Sequence, residues 1–146
     1  MKNLWIVLCF LGTMLWNTST AQENVWRTLA MIKMEKDFSS MQEGKELRFG
    51  PLIKRLEGKE ITVRGYIIPL SGKKGQSHFM FSAYPYSNCF FCGKAGPESV
   101  MEVFIKDDKK VDYSEKIIKI KGTFAIRSSD PNDIMYQLSD AVLVKD

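Results

Sequence analysis

The chain has 146 residues, a formal net charge of +4 and 45% hydrophobic residues, which suffices for one packed core. Its basic residues are interspersed with acidic ones, and pairs such as Lys73-Lys74 and Lys109-Lys110 fall at expected turns, so nucleic acid is not an expected partner. With a single histidine, His78, and no Gly-x-Ser-x-Gly elbow, a serine hydrolase is not expected either.

The chain opens as an export signal does. Lys2 and Asn3 make a short positive start, and residues 4–16 form an almost unbroken apolar run, within the roughly 7–15 residues of a signal core and short of the about 20 that span a membrane. Residues 17–21 turn small and polar, with Ser19 and Ala21 at the −3 and −1 positions of a cut before Gln22. Residues 1–21 are therefore read as a cleavable secretory signal and 22–146 as one domain, exported to the periplasm or cell envelope. Cys9 leaves with the signal, and its place deep in the apolar run gives no lipid anchor. No later run reaches spanning length, and the triplet Asn17-Thr18-Ser19 matches a glycosylation site but lies inside the signal.

Residues 25–38 carry two patterns. Trp26, Ala30, Met34 and Phe38 recur at helical spacing, while Ile32-Lys33-Met34-Glu35 alternates as a strand does. A short helix is expected over 49–56, with Pro51 in its first turn, Leu52, Ile53 and Leu56 on one face, and Gly58 ending it.

Strands follow. Residues 60–68 place Ile61, Val63 and Ile67 on one face with Gly65 among them, as in a strand bent at glycine. Further strands are expected at 78–82, 101–106, 116–126 with a central Gly122, and 134–144 after a turn at 128–132. Five such strands predict a mainly β chain forming a single OB-fold-like five-stranded barrel, partly open, with a short N-terminal helix. Residues 107–115 leave no room for the helix often inserted there, so the 49–56 helix is expected to plug the barrel. Asp130, Asp133 and Asp140 read as turn and solvent residues, because no calcium-loop spacing surrounds them. Tyr66, Tyr84, Tyr86, Phe79 and Phe81 are read as core filling, with an aromatic ligand platform as the alternative.

Chemistry concentrates at Asn88-Cys89-Phe90-Phe91-Cys92-Gly93. Cys89 and Cys92 are the sole thiols of residues 22–146, so the pair is a metal clasp, a small disulfide, or both in turn. A closed zinc site takes four ligands, and the candidates beside Cys89 and Cys92 are His78, Glu98 and Glu102, with water or a second copy of the chain completing the set. Zinc is favoured; copper(I) is the other candidate, with Met80 or Met101 as thioether donors. Disulfide exchange is disfavoured because Gly93, Gly96 and Pro97 break the helix that would stabilise a thiolate. No histidine follows Cys92, which excludes c-type haem attachment. A small Cys89–Cys92 bridge would instead pin a loop at the barrel rim, leaving Phe90 and Phe91 as core plugs or an exposed tip.

The segments 26–30, 56–70, 81–85, 88–103 and 134–141, with Cys-Phe-Phe-Cys-Gly the most specific among them, resemble a family of small exported bacterial proteins carrying a domain of unknown function. The resemblance implies an OB-like barrel and an envelope location. Relatives with a different cysteine pattern are associated with metal-acquisition genes; the family supplies no established activity, substrate or catalytic residue. The expectation is a non-enzymatic metal-binding or metal-handling module whose partner is a metal ion. The alternatives are an envelope interaction protein with a structural disulfide, and a thiol-disulfide exchange protein.

Overall fold

The computed structural model describes residues 25–34, 47–70, 72, 74–130 and 132–145. The expected signal at 1–21 lies outside the described residues.

Of the doubly patterned stretch 25–38, residues 35–38 lie outside the described residues, and residues 25–34 form both elements in turn. Helix α1 (Val25–Leu29) is followed by a short strand β1 (Ile32–Met34), which pairs antiparallel with β2 (Leu47–Phe49). Helix α2 (Pro51–Lys54) has proline in its first turn, where no intrahelical N–H is needed, and Gly58 takes φ +70° after it. Ile53 is fully buried, but Leu52 is 46% exposed, so the expected apolar face of this helix is narrower than its sequence suggested. Four helical residues turn once, and one turn leaves a single side chain facing the core.

Strands β3 (Glu60–Ile68), β4 (His78–Ser82), β5 (Val100–Ile105), β6 (Ile118–Ile126) and β7 (Tyr136–Val144) form a barrel of order β3-β4-β5-β7-β6. The mainly β class and the single five-stranded barrel expected from the sequence are what form, although the barrel is closed rather than partly open. Closure comes from β3, which pairs with β6 through Glu60–Gly65 and with β4 through Tyr66–Ile68. Partners change at Gly65, where an added Cβ would collide with the Ser82 carbonyl and come within 2.9 Å of the Phe81 ring. Gly122 is the second close approach. It lies where the β6–β7 register shifts, and Asp140 on the partner strand takes φ 50°. The other four pairings are antiparallel, and β5–β7 is parallel.

Inside the barrel, Val63, Ile67, Phe79, Phe81, Met101, Val103, Phe124, Tyr136 and Leu138 form one apolar cluster, which Leu29 of α1 and Ile53 of α2 join. The two short helices thus complete the barrel core, as expected of the segment at 49–56. Phe79 and Phe81 belong to this interior and provide no ligand platform. Tyr136 ties α1 down through its hydroxyl, which donates to the Leu29 carbonyl at 2.9 Å. Trp26 adds a second tie, its indole N–H donating to the Arg64 carbonyl at 2.7 Å.

The loop between β3 and β4 is anchored by Gln76, which exchanges backbone hydrogen bonds with Val111 and accepts from the Leu70 N–H through its side-chain oxygen. No α-helix occupies the β5–β6 connection, as expected, and Lys106–Asp108 makes a tight turn there with Asp107 and Asp108 in the left-handed region, at φ 57° and 49°. Asp130 and Asp133 cap their own turn, Asp130 accepting from Asn132 and Asp133 from the Ile134 N–H.

Candidate functional site

Barrel walls are ordinarily apolar inside and polar outside, because successive strand residues face opposite ways. In this wall, β3 carries Ile67-Ile68 and β4 carries Phe79-Met80-Phe81, so apolar side chains must appear on both faces. Ile68 pairs with Met80, and Val100 lies one step along on β5. These three make an apolar patch on the outside of the barrel, which water would leave exposed. The connection from β4 to β5, residues 83–99, folds back over it.

The base of that connection is closed by the Ala83 N–H donating to the Ser99 carbonyl at 2.9 Å. Three 3-10 turns then follow: Tyr86–Asn88, Phe90–Cys92 and Pro97–Ser99. Cys89 sits between the first two, fully buried, in a small cluster with Ile68, Met80 and Val100 that Phe90 and Ile134 flank. Cys92 ends the second turn at the surface, with Gly93 in the left-handed region after it. Both thiols are free.

The Cys92 S–H donates to the Tyr86 carbonyl at 3.0 Å, and its backbone N–H donates to the Cys89 carbonyl at 3.1 Å. Its pKa lies above the ordinary thiol value, first through loss of solvation against the loop, then through the hydrogen bond and charge of Cys89; Lys94 pulls weakly the other way. An elevated thiol pKa is the opposite of what a disulfide-exchange nucleophile requires. The exposure order points the same way, since the sulfur open to a substrate is the one with no electropositive helix end behind it.

The remaining expected donors separate into two places. The His78 Nε2 lies 2.7 Å from Glu102 Oε1, and its ring stacks on Phe104 at 4.3 Å and 7°. This pair shares the outer wall with the cap, since Glu102 stands directly across the ladder from Met80. Glu98 folds over Gly96, whose missing side chain leaves room for the carboxylate, and its charge reaches Tyr136. Among the described residues, no three His, Cys, Asp or Glu side chains stand close enough to hold a metal. The sulfur donors are also sorted: Met80 packs with Cys89, whereas Met101 belongs to the barrel interior.

Beside Cys92 lies a cleft of about 360 Å³ lined by Tyr66, Ile67, Pro85, Tyr86, Ser87, Tyr113, Ser114 and Glu115. Tyr66 and Tyr86 were visible in the sequence as platform candidates. Tyr113 and Glu115 were not, because the β5–β6 connection that carries them is far from the cysteine loop in sequence and reaches it through barrel closure alone. Aromatic exposure continues along the same rim, with Tyr86 58% and Phe91 52% exposed.

No family model matches the chain, and no curated protein matches it. Among solved structures, the chain is similar to a DUF3299 family protein from Pseudomonas aeruginosa PAO1, at 19% identity over 72% of each chain with a TM-score of 0.48. That overlap carries no argument about function. No helix among the described residues is long and apolar enough to cross a membrane.

Proposed function

We propose that the protein is an exported, non-enzymatic module that binds a soft metal ion through Cys89 and Cys92. The observation that carries this reading is the placement of the two sulfurs. They stand at the two ends of one 3-10 turn, Cys92 reaching solvent and Cys89 anchored in an apolar cluster that includes Met80. A turn of this kind delivers two thiolates to one ion without a large rearrangement.

What else is grouped there favours one class of ion. Four-coordinate zinc needs two further donors, and His78 and Glu102 are engaged with each other while Glu98 folds over Gly96. Within one chain, two thiolates with a thioether alongside suit copper(I), a soft ion satisfied by sulfur. Zinc then requires donors from a second copy or from a partner in the envelope. Binding replaces the two thiol protons, so affinity rises with pH, and the elevated Cys92 pKa carries that dependence above neutrality.

The competing state in an oxidising compartment is a Cys89–Cys92 bridge, which would exclude the ion. It belongs to the alternative reading, an interaction protein, which the exposed Tyr84, Tyr86 and Phe91 favour. Anaerobic titration of the reduced mature chain with copper(I) against a competing chelator separates the two. Metal–thiolate charge-transfer absorbance that saturates at one ion per chain, and disappears in both Cys89→Ser and Cys92→Ser, is the expected result. Absorbance that never develops, with rapid closure of a bridge in air, supports the interaction reading instead.

A further inference from the structure

The cleft beside the cysteine turn is not used by metal binding, and its lining has a definite chemistry. Tyr66 comes from β3 immediately after the bend at Gly65, Pro85 and Tyr86 from the β4–β5 connection, and Tyr113 and Glu115 from the β5–β6 connection. Three separate stretches of chain thus bring three tyrosines and one glutamate to one cleft. Tyr66 and Tyr113 are half-buried, and Tyr113 packs against the barrel cluster, so one wall is set by the core. Pro85 fixes the approach of the other wall, with φ −62°, and Asn88 N–H donates back to its carbonyl at 2.9 Å.

The charge of the lining decides what fits. Glu115 is its charged member, and it is negative; Lys116, the next residue, is not part of the lining. Aromatic faces attract cations through their quadrupole, and several rings around one carboxylate are the arrangement that captures quaternary and other organic ammonium groups. A volume of about 360 Å³ lies within the range of about 300–1,000 Å³ usual for small-molecule sites. Ser87 and Ser114 add hydroxyls that can accept from, or donate to, polar substituents on such a ligand. An anionic ligand would meet Glu115 with no cation in the lining to offset it.

We infer that this cleft is a binding site for a small organic cation, the Tyr66, Tyr86 and Tyr113 rings enclosing an ammonium group and Glu115 balancing its charge. The site is distinct from the sulfur pair but shares a wall with it. Tyr86 lines the cleft, and its carbonyl accepts from the Cys92 thiol.

The test is a titration of the mature chain with choline and, in parallel, with its neutral carbon isostere, followed by NMR shifts of the tyrosine rings. The expected result is saturable shifts at Tyr66, Tyr86 and Tyr113 with choline, and binding of the neutral isostere weaker by at least about tenfold. Tyr86→Ala and Glu115→Gln, both at exposed positions, are each expected to weaken choline by a similar factor while leaving the unfolding midpoint unchanged. Choline that shifts none of these rings, or an isostere that binds as tightly as choline, overturns the inference. Retained choline affinity in both variants does so as well.

Discussion

Strands β3, β4 and β5 contribute to two apolar clusters from opposite faces, and the clusters differ in kind. The inner one is closed, continuous and joined by both N-terminal helices; the outer one has four buried residues, Ile68, Met80, Cys89 and Val100, roofed by a loop. The inner cluster supplies the stability of the barrel, whereas the outer one fixes the height of a single sulfur. A small cluster on the outside of a barrel thus serves to hold a loop in place, and the loop in turn presents Cys92 at its edge. Packing, rather than a covalent bridge, sets the geometry of the pair.

The comparison is sharpest at large side chains. Phe124→Ala in the barrel interior is expected to destabilise the fold by about 3–5 kcal/mol in denaturant titration, the cost of a lost aromatic and its cavity. Met80→Ala removes the floor of the outer cluster, and the expected cost is about 2 kcal/mol, the low end for such truncations, because the loop can settle into the space. Its more telling readout is chemical: alkylation of Cys89 should accelerate in this variant while the barrel remains folded. Equal losses in both variants with Cys89 still protected would erase the distinction between the two clusters.

Next in size is the tie between barrel and helix α1. Tyr136→Phe leaves the Leu29 carbonyl without its donor, with an expected loss of about 1–2 kcal/mol. The Tyr136 phenol has its pKa pushed up, first by burial and then by the charge of Glu98. Its folded-state pKa exceeds the unfolded value of 10.0, so the folded chain binds the extra proton and stability falls as pH rises above that point. In the Phe variant this part of the alkaline slope should vanish.

The smallest expected effect on stability is at Cys92→Ser, under about 0.5 kcal/mol by unfolding, since the site is exposed and a hydroxyl can still donate to the Tyr86 carbonyl. In the unaltered chain, Cys92 should alkylate faster than buried Cys89 yet slower at neutral pH than an ordinary exposed thiol. Lys94→Ala should slow it further, because the charge that lowers the thiol pKa is removed.

Much of the barrel was legible because its signals are local. The alternation of Ile61, Val63 and Ile67 around Gly65, and the glycine at 122, state where strands run and where they come close to a partner. The outer cluster was written in the sequence too, in the consecutive apolar residues Ile67-Ile68 and Phe79-Met80-Phe81, which a period of two cannot place on one face. That signal becomes readable once the strands are known to form a closed wall. The pairing of His78 with Glu102 depends on the β4–β5 register, which no local pattern specifies. The meeting of Tyr113 and Glu115 with Tyr66 depends on closure of the whole barrel, and the composition of residues 106–117 gave no hint of it.

The central claim is that two sulfurs held by one turn take up one soft ion. Native mass spectrometry of reduced residues 22–146, loaded anaerobically with copper(I) and compared with Cys92→Ser, measures it directly. One copper on each unaltered chain and none on the serine variant is the predicted outcome; copper retained by the variant, or a metal-free wild type, would contradict it.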